Sequence, residues 1–452
     1  MRTYRDALTY LEQFANYELT RSVQYTPETF DLSRTEQLLD RLGNPHREYK
    51  VVHVAGTKGK GSTSLMIESV LRAAGYRTGL YTSPHLHTFC ERIQVRTHKI
   101  QRHEVAALVD ELEPHVMAVP ELTWFEIVTA MGLLYFARRQ VDIAVVEVGL
   151  GGRLDATNVV SPLVSVITPL SLDHMAWLGD TLAQIAFEKA GVVKPGVPVV
   201  CAPQKNDALE VIERVCSERG APLVLIGRHW LYAPGQIDAN GQWFVRMRPE
   251  WQKIFWPPPE FYWTPLLGRH QIVNATTALA ALDLLRDSHL TIPPDAVEQG
   301  LRAARWPGRM QVLSRNPLVV TDGAHNGESA QRLAVALREW FPRRKWTLIF
   351  GASSDKDLPA MFDALLPLAS RTILTHAQSP RAADPERLSE LAVSRDAHVM
   401  VTASVADALD IALLGLEEYD GVILTGSLFV AAEAESAWAA RVGGPAPETD
   451  YD

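Results

Sequence analysis

Short continuous apolar runs recur along the chain and alternate with stretches whose apolar residues fall at helical spacing. VVHVA (51–55), GLYTS (79–83), IAVVEV (143–148), LVSVIT (163–168) and VPVVCA (197–202) are runs of the first kind. They predict strands buried on both faces, as in a parallel sheet covered by helices. Helices are predicted between most of them. One starts near Ser62, carries Met66, Val70 and Ala74 on a single face, and stops at Gly75. Another is opened by a capping box, Ser33-Arg-Thr-Glu36, carries Leu38, Leu39 and Leu42, and stops at Gly43-Asn44-Pro45. The alternation predicts a doubly wound α/β domain.

Between Arg228 and Pro265 the texture changes. Trp230, Trp243, Trp251, Trp256 and Trp263 sit among turn residues. No basic stripe accompanies the rings, so they read as a short antiparallel or irregular insert and not as a platform for stacking bases. A helix is predicted over 270–285. After a junction at Arg305-Trp-Pro-Gly-Arg309, a second α/β series follows: PLVVTDG (317–323), WTLIFGA (346–352), RTILTHA (371–377), HVMVTA (398–403) and GVILTGS (421–427). The expected organisation is a first domain over 1–305, with the insert at about 228–265, and a smaller second domain over 306–442. The polar stretch 443–452 is expected to fray.

Composition narrows the class. The 452 residues suffice for two or three domains, and 47% hydrophobic with 21% charged residues excludes disordered, collagen-like and coiled-coil chains. A net charge of −9 argues against a nucleic-acid partner. Any anionic ligand must therefore be met by locally placed cations and amides. Cys90, Cys201 and Cys216 are too few and scattered for a disulfide framework and read as reduced thiols. No run approaches eighteen apolar residues, and Asp6 and Glu12 interrupt the N-terminal stretch, so no membrane span or signal peptide is predicted. A cytoplasmic monomer is expected.

The candidate chemistry begins at VVHVAGTKGKGSTSLMIESVL (51–71): buried strand, glycine-rich turn, helix. Gly56, Gly59 and Gly61 let backbone N–H groups turn toward an anion, and the helix N-terminus adds its dipole. Lys60 supplies a charge for β/γ phosphates, and Ser62 and Thr63 offer hydroxyls near a metal. The spacing differs from GxxxxGK[ST], because Gly61 separates Lys60 from Ser62. A hard Mg²⁺ ion wants oxygen ligands at strand ends facing this loop. Glu147, which ends an apolar strand before Gly149-Leu-Gly-Gly152, qualifies, as do Ser83 and His174. Lys189, just before the helix stop Gly191, reads on spacing alone as a surface lysine complementing the helix dipole.

Nine motifs in order carry a resemblance: GTKGKGS, YTSPHL with ERI (91–93), LTWFE (122–126), EVGLGGRLDATN (147–158), SLDH (171–174), FEKAG (187–191), GRHQIVNA (268–275), WPGRMQ (306–311) and DGAHN (322–326). The chain resembles folylpolyglutamate synthases and dihydrofolate synthases of the Mur ligase superfamily over roughly residues 25–430. The resemblance implies a P-loop central domain followed by a Rossmann-like domain. It also implies an ATP-dependent ligase that joins L-glutamate to a pteroate or folate carboxylate through an acyl phosphate. It places Thr57, Lys58, Gly59, Lys60, Gly61, Ser62, Asn274, Arg309, Asp322 and His325 at ATP. Ser83, Glu147 and His174 match magnesium ligands, and Lys189 falls where the family carries a carbamylated lysine able to ligate a second Mg²⁺. Lys60, Lys189 and His174 are thus the expected catalytic residues. The pteroate or folate positions correspond to Asp31, Leu32 and Ser33, to Thr123, Trp124, Phe125 and Glu126, and to Leu154, Asp155 and Ala156. Lys58 stands where many bacterial members have Asn. Two alternatives are a Mur-type ligase acting on another carboxylate and an ATP-hydrolysing nucleotide switch. LTWFE and DGAHN speak against the switch, which needs neither. The motifs leave open whether dihydropteroate, a reduced folate or both accept the glutamate.

Overall fold

The structure, a computed structural model, describes residues 2–17, 26, 29–238, 240–249, 260–379, 381–395 and 397–450. The apolar runs form the strands expected of them. The first sheet comprises β1 (Lys50–Ala55), β2 (Thr78–Tyr81), β3 (Ile93–Val95), β4 (His98–Lys99), β5 (Ile143–Glu147), β6 (Val164–Ile167), β7 (Val199–Cys201) and β8 (Leu223–Leu225). Their order is β4-β3-β2-β5-β1-β6-β7-β8, parallel from β2 through β8. The edge strands β3 and β4 are antiparallel, a ribbon too short to show in the apolar pattern. Helices Tyr4–Leu11, Leu32–Arg41, Arg102–Val116 and Trp124–Arg138 bury apolar residues on one face. Helices Lys60–Ala73, Arg269–Asp287 and Pro294–Ala303 do so on the other, which accounts for the unbroken apolar strands.

The aromatic insert is a three-stranded antiparallel sheet, β9 (Leu231–Ile237), β10 (Gln242–Met247) and β11 (Glu260–Thr264). Trp251 and Trp256 lie outside the described residues. Arg246, buried in this insert, lies 3.9 Å over the Trp230 ring and pairs with Asp283 of the long helix at 2.6 Å. The insert thereby stays on the first domain. The second sheet holds β12 (Gln311–Arg315), β13 (Leu318–Thr321), β14 (Lys345–Phe350), β15 (Ala369–Leu374), β16 (Val399–Val401) and β17 (Asp420–Thr425), in the order β12-β13-β17-β14-β15-β16. All pairs are parallel except β12 with β13. β12 escapes the apolar pattern because it is a half-buried edge.

Three local expectations change. The helix Leu32–Arg41 is capped by Asp31, which accepts the Ser33 N–H at 2.9 Å, and the Ser33 hydroxyl donates to the same carboxylate at 2.7 Å. Asp31, two residues upstream, thus captures the amide that a cap at Ser33 would have left free. The helix after β1 begins at Lys60, with Gly59 as its left-handed N-cap (φ 86°). Residues 443–450, which composition alone reads as a frayed end, return to the first domain. Asp450 accepts hydrogen bonds from Tyr4, Thr88 and the Phe89 amide.

Candidate active site

The central strands set the stage. Register places Glu147 of β5 beside Val54 of β1, and Ala55 beside Ile167 of β6. The segments after β1, β2, β5 and β6 therefore emerge at one carboxyl edge, where ligands of open α/β sheets bind.

The glycine-rich loop is pinned before it becomes a helix. The Thr57 and Lys58 amides both donate to the Pro169 carbonyl, at 3.2 and 3.1 Å. These two amides anchor the loop and are spent. The first helical bond runs from the Thr63 amide to Gly59, so the Gly59, Lys60, Gly61 and Ser62 amides precede the helix ladder and are the ones placed for an anion. The glycines are needed because neighbours lie close. A Cβ at Gly56 would come within 1.9 Å of the Thr168 hydroxyl, at Gly59 within 2.3 Å of the Asn274 amide, and at Gly61 within 2.6 Å of the Trp306 ring. Asn274 donates to Gln271, which reaches the Ser62 hydroxyl at 3.3 Å. Two candidate residues 212 positions apart, Ser62 and Asn274, are thus joined through Gln271.

Around the loop, cations and carboxylates interleave. Lys60 Nζ lies 3.9 Å from Glu147, and Lys58 pairs with Asp173 at 2.6 Å. Glu147 is 4% exposed. Burial pushes its carboxyl up to about 7, against the pull of the Lys60 ammonium and the Ser83 backbone amide. Burial alone would also raise Asp173, yet Lys58 and His174 hold it well below the usual carboxylate range. Lys189 is likewise 4% exposed and donates to the Gly56 carbonyl at 2.9 Å. Burial, with the Lys60 charge adding, lowers its ammonium to about 7. The reading of Lys189 as a surface lysine is overturned: helix Leu182–Ala190 turns it inward onto the loop. Gly152 and Gly191 allow this approach, since a Cβ at Gly152 would meet the Lys189 carbonyl at 2.9 Å and one at Gly191 would meet Arg153 at 2.3 Å.

His174 is placed differently. It sits in the left-handed region (φ 53°), its side chain is 53% exposed, and its ring faces Asp173 at 3.9 Å. It shares an electrostatic neighbourhood with Lys189 and Lys60. Among the described residues no three His, Cys, Asp or Glu side chains form a metal-holding group. A Mg²⁺ ion does not require one, because it takes one or two protein oxygens together with waters and phosphates. The Glu147 Oε2 atom, buried without a hydrogen-bond partner, fits that role. Glu147→Gln is therefore expected to raise the Mg²⁺ concentration for half-maximal turnover at least about tenfold, the scale on which even outer partners of a metal act. The wild type should need more Mg²⁺ at pH 6 than at pH 8, since a carboxyl titrating near 7 is protonated on the acid side. A Mg²⁺ titration at both pH values checks this, and an unchanged requirement in the variant removes Glu147 from the metal.

The second domain supplies Arg309, Asp322 and His325. Asp322 accepts the Met310 amide at 2.7 Å and the Ala324 amide at 2.8 Å, and the Arg309 charge acts on it. His325 lies with Nδ1 2.9 Å from the Gly323 carbonyl, an acceptor only, so Nδ1 carries the proton. Burial and the Lys58 charge lower its pKa to about 3. Asn326 reaches Asp173 at 3.4 Å and so bridges the two domains.

Several expected substrate residues hold structure. Thr123 and Glu126 form a capping box, the Thr123 amide donating to Glu126 at 2.6 Å, and Arg34 pairs with the same carboxylate at 3.2 Å. Trp124 is buried against Phe89 and lies 4.7 Å below the Arg92 guanidinium. Asp155 accepts from Leu150 and from Thr157, fixing the turn that carries Leu154 and Ala156. Phe125 is half-buried and closes on Gly149, where a Cβ would meet its ring at 2.4 Å. Leu32 and Leu154 are half-buried, and Ala156 is buried. Sequence reasoning missed Asp173, Gln271, Trp306, Asn326 and Arg92 as individuals, although each stands inside one of the nine motifs. A cavity of about 420 Å³ bordered by Phe362, Arg371, Arg395 and His398 lies on elements that carry none of these residues. Here polar convergence marks the site better than concavity does.

Comparison with known proteins gives matches over both domains. Residues 54–282 match the Mur ligase middle domain, and residues 308–428 match the Mur ligase glutamate ligase domain. A dihydrofolate synthase/folylpolyglutamate synthase of Bacillus subtilis is 37% identical over 88% of this chain and 92% of its own length. The structure of Mycobacterium tuberculosis folylpolyglutamate synthase complexed with ADP superposes with a TM-score of 0.85 at 32% identity, covering 96% of this chain and 98% of the other. An E. coli FolC structure in complex with DHPP and ADP gives 0.82 at 31% identity over 98% of this chain and 99% of the other.

Proposed function

The chain belongs to the folylpolyglutamate synthase/dihydrofolate synthase family of Mur ligases, ATP-dependent enzymes that add glutamate, and from that premise we propose how its own residues do so. The observation that carries the reading is the cluster of cations Lys58, Lys60, Lys189 and Arg309 at the glycine-rich loop, with the buried Glu147 facing Lys60 at 3.9 Å. A protein with no anionic ligand would gain nothing from concentrating these charges in a desolvated place.

In this reading the amides of Gly59–Ser62 and Lys60 receive the ATP phosphates. Trp306 and Asn274 lie over the glycine-rich loop, and Asp322 and His325 approach from the second domain. Glu147, Ser83 and His174 would hold Mg²⁺, and a carbamylated Lys189 a second ion. The metal supplies charge neutralisation at the transferring phosphoryl group. A pteroate or folate carboxylate attacks the γ-phosphorus and ADP leaves. The glutamate α-amine then attacks the resulting acyl phosphate, an amide bond forms, phosphate departs and the amine gives up a proton. Phosphorylation is needed because a carboxylate is anionic and has no good leaving group. Placing the site between two domains excludes water that would hydrolyse the acyl phosphate. The segments at 31–33, 123–126 and 154–156 would form the acceptor pocket, with the half-buried Phe125 ring on its wall. The domain boundary falls, in this reading, between Arg305 and Trp306. Among the described residues no helix is long and apolar enough to cross a membrane.

Phosphate release in the presence of ATP and Mg²⁺ tests the proposal. Release should require both L-glutamate and either dihydropteroate or tetrahydrofolate, with the glutamylated product seen by mass spectrometry. Release indifferent to both would mark a nucleotide switch and overturn the ligase reading. Comparing the two acceptors also decides which of them the chain uses.

A further inference from the structure

The segment from Ser83 to Arg92 joins two parts of the site. At its start the Ser83 backbone lies near Glu147 and favours its ionised form. At its end Arg92 donates to His85 at 2.8 Å and stacks over Trp124, while the Phe89 ring meets the edge of the same indole at 6.1 Å. Trp124 sits within the segment 123–126 assigned above to the acceptor pocket. The segment is closed on itself by Glu91, which accepts the Leu86 amide at 2.7 Å and pairs with Lys99 at 3.0 Å.

Two contacts from beyond residue 427 grip this segment. His87 Nε2 lies 2.9 Å from Glu435 of the helix Leu428–Val442, with both side chains nearly buried. The chain after that helix then crosses back to the first domain. The Thr449 carbonyl accepts from Arg102 at 2.5 Å. Asp450 accepts from Tyr4 Oη at 2.6 Å, from Thr88 Oγ1 at 2.6 Å and from the Phe89 amide at 2.7 Å. Thr88 precedes the helical turn Phe89–Arg92 yet does not cap it with its own side chain. Asp450 caps that turn instead, from 361 residues away in sequence. A carboxylate receiving three donors is fixed in orientation and charge-assisted, which is not the behaviour of a free polar tail.

We propose that Asp450 and Glu435 are positioning residues for the acceptor pocket: the last helix of the second domain at His87, and the chain after it at Phe89, clamp the segment 84–91 and thereby hold the Trp124 wall of that pocket. The inference rests on the placement of the pteroate or folate acceptor at 123–126. It makes the second domain a determinant of acceptor affinity at a point remote from ATP, since neither carboxylate touches the residues 56–62.

Steady-state kinetics of the full chain with dihydropteroate or tetrahydrofolate test it. Asp450→Ala should raise KM for the acceptor about tenfold while KM for ATP and kcat stay within about twofold. Asp450→Asn, which keeps an acceptor oxygen, should lose less. Glu435→Ala should act in the same direction, and Glu435→Gln should recover most of the loss. An unchanged acceptor KM in Asp450→Ala overturns the proposal. So does a parallel rise of both KM values with a lowered melting temperature, which would mean a merely structural contact. Phe125→Ala separates the two levels: if it leaves acceptor KM untouched, the pocket itself is misplaced and both readings fail.

Discussion

Lys60→Ala is expected to lower kcat/KM for ATP by roughly a hundred- to thousand-fold, the loss seen when one preorganised group is removed from a developing charge. Lys60 is the first residue of its helix, so Ala costs nothing in helix propensity and the sheet behind it is untouched. The loss has two sources. The phosphates lose a cation, and Glu147 loses the ammonium 3.9 Å away that opposes the effect of burial on its carboxyl. Without Lys60 the Glu147 carboxyl should titrate still higher, so the variant should also require more Mg²⁺ at neutral pH. Pre-steady-state ADP release with saturating acceptor, and a Mg²⁺ titration beside it, read the two effects separately. Turnover near that of the wild type at ordinary ATP would remove Lys60 from the phosphates.

Lys189→Met is expected to abolish most turnover while making the unliganded protein more stable. The sign follows from the lowered ammonium. With a folded value near 7 and an ordinary value of 10.5, the unfolded chain binds more protons between those pH values. Stability therefore rises with pH across that window, and below it the full cost of burying the ammonium is present. Methionine fills the same space without that cost, although the hydrogen bond to Gly56 is lost, so a net gain on the order of 2 kcal/mol at pH 6 is expected. Such a result would mean that stability is given up for function at Lys189. The same lowered value leaves much of the amine neutral near pH 7, the form that reacts with dissolved CO₂ to give a carbamate. Wild-type activity should accordingly rise between pH 6 and pH 8 and respond to bicarbonate, and a short carboxylate such as acetate should partly rescue Lys189→Ala. Thermal melts at pH 6 and pH 9 with activity assays at controlled CO₂ check both halves. A variant that is inactive but less stable at pH 6 would show that the buried ammonium is satisfied in the fold, and bicarbonate independence would remove the carbamate.

Some of this was fixed by local sequence. Runs such as VVHVA and IAVVEV are apolar at all positions but one each, His53 and Glu147, and a sheet covered on both faces satisfies them, so the parallel core was legible in the sequence. GTKGKGS was legible for the same kind of reason. Three glycines and a lysine at a strand-to-helix turn have few uses other than an anion, and the motif order carried the family. Other features depend on partners far apart in the chain. Whether Lys189 meets water or the loop depends on Gly152 and Gly56, which its own helix pattern does not encode, and on Gly191 meeting Arg153, which the helix stop alone does not reveal. Thr57 and Lys58 look like phosphate ligands in sequence, yet their amides belong to Pro169, more than a hundred residues on. Asp31 and not Ser33 caps its helix because the Asp31 carboxylate takes both the Ser33 amide and the Ser33 hydroxyl, drawing that hydroxyl away from a cap of its own, which spacing rules do not decide. The stretch 443–450 is polar in composition, and composition is blind to three donors waiting on Tyr4, Thr88 and Phe89. Backbone conformation and burial period are set by neighbours within a few residues, so the chain by itself determined the strands, the helices and the phosphate loop. The charge state of a buried side chain and the docking of a polar segment depend on desolvation and on groups brought together only by the fold. For that reason the tertiary structure alone decided how Glu147, Lys189 and Asp450 are placed and what surrounds their charges.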